Sequence, residues 1–293
     1  MTRSPAISVV VGMQFAQGNL PAILAALAPG LAMGQVELLL CHACDDPLVV
    51  PATPGVRVIV GEMDALIPEL WRDGIVAARA PVVGLLSGHC VPSATWLDTA
   101  IALDLNKHVG YGGRIVNNPV SDRAGTAIHL LRYGSFAHFD AARTVPEIAA
   151  DNAVYRRDAI LACADLLPEG FWEPSFHARF RAVGDSLALA PDLVVTNVNR
   201  YTPSTFMRQR RRHGVHFGQS RARGARTGRR WLMMLTSPAA FPIFATKITT
   251  QVLRDARLKP GFWKAAPWLY LFMANWSLGE ARGYAKAVFG GRR

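Results

Sequence analysis

Charge is scarce in this chain of 293 residues, and acid is scarcer still: 18% of the residues are charged, with 21 Asp and Glu against 32 Lys and Arg. So small a charged fraction, with a mean hydropathy of +0.17, predicts that some surface faces lipid or a partner. The net charge of +11 and isoelectric point near 10.1 make that partner acidic, with anionic phospholipid and nucleic acid as the candidates. Four cysteines, Cys41, Cys44, Cys90 and Cys163, are too few and too scattered for a disulfide scaffold, which points to a reducing compartment. No repeat or low-complexity tract is present before about residue 200. The amino end passes within a few residues into Ile7-Ser8-Val9-Val10-Val11-Gly12. This run is too short for a signal-peptide core and reads as a first strand.

What is present is an alternation of apolar runs and helical segments. Val36–Cys41, Val56–Val60 and Val82–Leu86 read as further strands. Asn19-Leu20-Pro21 opens a helix over Ala22–Leu27, and Pro68–Ala80 is a second helix. Near-continuous apolar strands alternating with helices predict a mostly parallel sheet covered on both faces. Farther on, Gly110–Ile115 reads as a strand and Thr126–Phe136 as a helix. Asp151–Asp158 is expected to enter a helix running through Cys163, Ser175–Val183 to form another, and Leu187–Val195 to return as a strand.

The fourth strand delivers Leu86-Ser87-Gly88-His89-Cys90-Val91-Pro92 to its carboxyl end, where open α/β sheets bind their ligands. Near residue 206 the composition changes. Arg208, Arg210, Arg211, Arg212, Arg221, Arg223, Arg226, Arg229 and Arg230 crowd one segment, and two apolar stretches, Trp231–Ala245 and Ala265–Leu278, follow it. The natural division is therefore 1–205 and 206–293.

Taken together, the pattern resembles family 2 glycosyltransferases of the GT-A fold. The first strand resembles their V-S-V-V-I-P, Gly74-Ile75-Val76-Ala77-Ala78 the second half of A-R-N-x-G-I-x-x-A, and Leu86 to Leu97 the segment L-D-x-D-x-x-P-x-x-W-L. Gly112-Gly113-Arg114-Ile115 resembles the family's G-G segment, and Asn152-Ala153-Val154-Tyr155-Arg156-Arg157 its N-x-x-x-R-R. The resemblance implies a Rossmann-like GT-A domain followed by an amphipathic helical membrane-attachment region. It implies an inverting transfer from a nucleotide-sugar to a lipid-linked or polysaccharide acceptor at the cytoplasmic face of the membrane, in building the cell envelope.

The same resemblance assigns roles. His42, Asp45 and Asp46 would lie near the nucleotide, with Ser87 and His89 at the donor. Glu173 or Asp151 would be the general base, with Phe171 and Trp172 beside Glu173 able to raise its pKa by desolvation. Asn152, Arg156 and Arg157 would meet the acceptor or the diphosphate. A divalent cation, Mn²⁺ or Mg²⁺, belongs to the family's D-x-D, where it offsets the charge of the leaving diphosphate. Here both acids are replaced, by Ser87 and His89, and Thr196 stands where many members present a further histidine. His89 remains the one candidate metal ligand at that motif.

Two readings stay open: a transferase with a degenerate D-x-D, and a catalytically silent relative acting as a binding or scaffold subunit of a polysaccharide complex. Cys41-x-x-Cys44 with His89 and Cys90 would offer zinc four soft ligands if strands two and four ended side by side. The basic run has almost no aromatic interleaving beyond Phe206 and Phe217, so nucleic acid is not the expected partner. Each apolar stretch is about 15 residues long, short of the ~20 a spanning helix needs. Interfacial, monotopic attachment is the expectation, with a short membrane hairpin second.

Overall fold

The β-branched run at the amino end forms β1 (Ile7–Met13), buried along its whole length, in the computed structural model, which describes residues 4–43 and 48–290. The chain divides into two units, Met1–Pro119 with Phe136–Arg200, and Val120–Ser135 with Tyr201–Arg293. In chain order the first unit contains β1, α1 (Leu20–Ala32), β2 (Val36–Ala43), β3 (Val56–Gly61), α2 (Ile67–Ala77), β4 (Val82–Ser87), β5 (Cys90–Pro92), α3 (Trp96–Ala102) and β6 (Gly110–Asn117). After α4 (Arg123–Tyr133), which belongs to the second unit, it resumes with β7 (Arg143–Val145), β8 (Asn152–Arg156), α5 (Arg157–Leu161), α6 (Glu173–Ala182) and β9 (Leu187–Asn197).

The strands form one mixed sheet, in the order β3-β2-β1-β4-β8-β6-β9-β5 with β7 also on β9. β1 to β4, β6 and β9 point one way, and β5, β7 and β8 the other, so the sheet is mostly parallel as expected. Alternating side chains divide between the two faces. Val10, Leu39, Cys41, Val83, Leu85 and Tyr155 share a core with Trp71 of α2 and Phe176 of α6. Residues of the opposite parity face α3, where a β-carbon on Gly84 would stand 2.8 Å from Trp96. On the first face, Gly74 lets α2 lie against the sheet: a β-carbon there would clash with Val10 and come within 2.8 Å of the Cys41 sulfur.

One expected helix is in fact a strand. Asn152–Arg156 is β8, held antiparallel between β4 and β6. The local signals, an acid before the segment and an Arg-Arg-Asp run after it, look like helix ends. The alternating Ala-Val-Tyr between them instead completes the sheet, and the helix that follows is only five residues long.

At the amino edge of the sheet, Glu37 is nearly buried and accepts hydrogen bonds from Ser8 (2.8 Å), Arg57 (2.6 Å) and the backbone of Arg79 (3.0 Å). Burial pushes its carboxyl up, and the combined hydrogen bonds to Arg57, Ser8 and Arg79 outweigh that and hold it below the usual carboxylate range. With the folded pKa depressed, the stabilisation is complete above the unfolded value and disappears as pH falls through the folded one. Glu37→Gln should therefore cost about 2 kcal/mol at neutral pH. Urea unfolding of the two proteins should converge on acidification, and a pH-independent difference would exclude the ionic origin.

The second unit is helical: α4, α7 (Pro203–Ala222), α8 (Thr227–Thr236), α9 (Ala240–Arg254) and α10 (Lys259–Phe289). α7 and α10 touch backbone to backbone through Gly214 and Gly218 on one and Gly279 and Gly283 on the other. The contacts advance together along both helices, so the two run parallel. Small residues four apart on both partners are the means by which helices approach closely where apolar burial alone does not drive association. Among the described residues, no helix is long and apolar enough to cross a membrane.

Candidate functional site

From β1 the chain moves outward to β2 and β3, then returns to the other side of β1 for β4. Such a reversal opens a crevice beyond the carboxyl ends of the two strands. The loops that leave these ends are joined by a continuous set of hydrogen bonds. The Gly88 N–H donates to the Gly12 carbonyl (2.8 Å). The buried Asn19 amide donates to the carbonyls of Gly88 (2.9 Å) and Val198 (2.8 Å), and the Val198 N–H donates to the His89 carbonyl (2.8 Å).

This web presents Arg200. Its backbone N–H donates to His89 Nδ1 (3.1 Å) and its Nε to the Asn19 side-chain oxygen (2.7 Å). The guanidinium carbon lies 3.6 Å from where a β-carbon on Gly18 would stand, over the turn that begins α1. Arg200 is exposed, and no described carboxylate forms an ion pair with it. In the same loop Phe15 is 42% exposed and has φ of 56°. A bulky residue held in the left-handed region is strained, and such strain gathers at ligand sites. The crevice thus offers a fixed cation, the amino end of a 13-residue helix and an aromatic face. Together these suit an anion carried on a flat ring.

The residues singled out in the sequence fall into three groups. Ser87 and His89 are at the crevice but turned inward, 0% and 1% exposed. The Ser87 hydroxyl donates to the Cys90 sulfur (3.6 Å), and His89 Nδ1, as acceptor, fixes a neutral ring as the Nε2–H tautomer. His42 ends β2 opposite Met13, with Nδ1 2.8 Å from the Ala43 carbonyl. Asp151 and Glu173 come together at the start of β8, beside the end of β4. The half-buried Glu173 begins α6 and accepts the Ala150 N–H (3.3 Å), and Asp151 is 5% exposed. α6 is held in place behind them by His177, whose ring lies 2.9 Å from the Tyr155 hydroxyl and 2.6 Å from Glu147.

The second group does not reach the crevice. Asn152 is fully buried and committed: its oxygen accepts from Trp96 (2.8 Å) and its nitrogen donates to the carbonyls of Arg114 and Leu193 (both 3.0 Å). Because β8 is antiparallel to β4, Arg156 pairs with Val82 while Asn152 pairs with Leu86. Arg156 and Arg157 are therefore at the amino edge, about 13 Å along the strand from Asn152. There Arg156 meets Asp158 (2.8 Å), and Arg157 donates to the last carbonyls of α2 at Ile75 and Val76 (both 3.0 Å). The third group, Cys44, Asp45 and Asp46, lies outside the described residues.

No family model matches the chain, and no curated protein matches it. Among solved structures, it is similar to the mannosyltransferase PcManGT from Pyrobaculum calidifontis in complex with GDP-Man and Mn²⁺. The identity is 13% and the TM-score 0.47, over 99% of this chain and 77% of that one. A second similar structure, of a mycobacterial protein, has 14% identity and a TM-score of 0.46, over 71% of this chain and 72% of that one. At this distance neither carries a residue's role over to this chain.

The donors described at the end of β4 do not suit Mg²⁺ or Mn²⁺. Ser87 is bonded to Cys90, Gly88 supplies no ligand, and His89 Nδ1 is occupied by a backbone N–H. A side chain at position 88 has no room either, since its β-carbon would stand 2.7 Å from Met13 Sδ and 2.9 Å from Ala16. Among the described residues no three of His, Cys, Asp and Glu gather in a metal-binding group. Cys41 faces Gly74 of α2 in the core, where burial pushes its thiol far up, and this is no setting for a zinc thiolate. Arg200, Asn19 and Phe15 were not legible as site residues. The only signal was position, since each follows closely on the end of a strand or opens a helix.

Proposed function

We infer that the first unit is a glycosyltransferase of the GT-A type, resembling family 2, which takes a nucleotide-sugar donor at the crevice between β1 and β4. The observation that carries this reading is Arg200, an exposed guanidinium that no described carboxylate pairs, its Nε held at the switch point by Asn19 and its backbone by His89. Since no three metal-ligating side chains gather among the described residues, Arg200 and the amino end of α1 are the groups placed to meet the donor diphosphate, and Phe15 the ring placed to meet the base. Glu173 would take the proton of the acceptor hydroxyl, with transfer by inversion, and Asp151 is the second candidate for that role. The acceptor would be a lipid-linked or polysaccharide precursor of the cell envelope.

Calorimetric titration with UDP-, GDP- and TDP-sugars, in Mn²⁺ and in EDTA, tests the reading. One nucleotide should bind in both conditions, and Arg200→Gln should weaken it about tenfold, the worth of one charge-assisted hydrogen bond. Absence of binding and of nucleotide release under every condition would sink the enzyme. It would leave the scaffold-subunit reading, which the replacement of the D-x-D acids by Ser87 and His89 favours.

The second unit is proposed to hold the protein at the cytoplasmic face of the membrane by interfacial attachment. Among described residues the exposed phenylalanines and tryptophans are Phe15 in the first unit and Phe217, Trp231, Phe244, Trp263 and Phe289 in the second. The last five share their unit with exposed arginines, including Arg223, Arg226 and Arg229. No residue of α8 is buried. Aromatic and basic side chains together suit an anionic interface. Flotation with vesicles containing acidic lipid should be lost at high salt. Neutralising Arg226 and Arg229 to Gln should weaken it roughly thirtyfold, at about 1 kcal/mol per basic residue. Equal flotation on neutral vesicles would refute the electrostatic part.

A further inference from the structure

Helices α4, α7, α9 and α10 line an open pocket of about 190 Å³, its apolar wall formed by Leu131, Phe244, Ile248, Met273 and Trp276. Two polar side chains open into this apolar wall, Arg210 and Ser277. Arg210 Nε is shut off from solvent with no hydrogen-bond partner, and no described carboxylate pairs with the guanidinium. Its near neighbours are the Phe206 ring, with centroid 5.9 Å away, and a second cation, Arg132. Burial first, then Arg132, bring its pKa down to about 10, which leaves it charged at neutral pH. Ser277 is 8% exposed and its hydroxyl is likewise without a partner.

Arg210 is half-buried, and a cation whose Nε is withdrawn from water without a partner is costly to keep there. The missing partner here is an anion. What the pocket holds is one part of a ligand, because sites for whole drug-sized ligands occupy roughly 300–1,000 Å³. A whole nucleotide-sugar does not fit inside it. An inorganic anion would leave the aromatic and aliphatic wall unused. Phe244 of the wall is itself partly exposed, as is its neighbour Ile243 in α9.

We propose that this cavity binds the head and first carbons of a phosphate-headed lipid. The phosphomonoester oxygens accept from the Arg210 guanidinium in the two-pronged geometry that arginine favours. The Ser277 hydroxyl donates to a further oxygen, and the chain lies against Met273, Ile248 and Phe244. Because the cavity lies wholly within the helical unit, the proposal stands or falls independently of nucleotide binding at the first unit.

The test is calorimetry on the full chain in mild detergent with four probes: farnesyl phosphate, dihexanoyl phosphatidic acid, dihexanoyl phosphatidylcholine and inorganic phosphate. One equivalent of at least one phosphomonoester lipid should bind at least tenfold more tightly than phosphatidylcholine or inorganic phosphate. Preference for farnesyl phosphate would identify an isoprenoid source, and equal or better binding of phosphatidic acid a bilayer source. Arg210→Gln should remove tenfold or more of the affinity, and Arg210→Lys should restore part of it. Ile248→Trp, which fills the cavity without touching the charge, should also weaken binding tenfold, and it decides the matter if Arg210→Gln does not fold. Binding of phosphatidylcholine or inorganic phosphate as tight as that of the lipid phosphates would overturn the proposal. So would full affinity in a folded cavity variant.

Discussion

Gly218→Leu should lower the stability of the helical unit by about 3 kcal/mol or more, the upper range for forcing atoms into a packed interior. A β-carbon at position 218 would fall inside contact distance of the Glu280 carbonyl oxygen and 3.1 Å from the Gly283 Cα. Both are backbone atoms of a long helix, so no side chain can swing aside and α10 must move bodily. Better helix propensity offers only about 1 kcal/mol in return, and the steric term wins. Gly279→Leu should behave alike from the other side, because its β-carbon would meet the Arg211 carbonyl. Gly228→Ala is the control: nothing lies within 4 Å of its β-carbon position, so it should be neutral or stabilise by up to about 1 kcal/mol. Urea unfolding followed by circular dichroism reads all three. Wild-type stability in Gly218→Leu would mean that α7 and α10 do not cross at these glycines.

The reach of the sequence can be judged on these same residues. Strands β1, β2 and β4 are buried along all or nearly all of their length, and an apolar run reports burial directly, so they were legible; β3, at the sheet edge and partly exposed, was legible from its β-branched alternation. β8 was not, because its state is set by two neighbours distant in the chain, β4 and β6, while its own flanks imitate helix ends. That single misplacement also carried Arg156 and Arg157 away from the crevice, since an antiparallel strand delivers its last residues to the opposite edge. Asn152 looked like a ligand-binding amide for lack of any local sign that Trp96, Arg114 and Leu193 would use all of it. The glycine spacing 214/218 and 279/283, by contrast, is written in the sequence and needed only the pairing of two segments. Arg200 is the hardest case. It is one of 32 basic residues, and only the meeting of three loops separates it from the rest.

Glu173→Gln is expected to give the largest loss of turnover, between about 10² and 10⁴-fold in kcat, the usual contribution of a positioned general base. The amide keeps the shape of the side chain, and its oxygen can still accept the Ala150 N–H, so the start of α6 should stay in place. What it cannot do is take a proton from an attacking hydroxyl. In the proposed site the donor meets Arg200 and Phe15, to which no contact of Glu173 is described, so nucleotide affinity should change little. The expected signature is thus a fall in kcat and kcat/KM together with a steady donor KM, the mark of an interaction made only in the transition state. Asp151→Asn should cost less, because Asp151 is 5% exposed and an acceptor hydroxyl reaches the half-buried Glu173 more readily. If the aspartate variant loses the greater part of kcat while Glu173→Gln keeps it, the base is Asp151. The role of Glu173 then reduces to holding the Ala150 turn from the amino end of α6, where its charge also complements the helix.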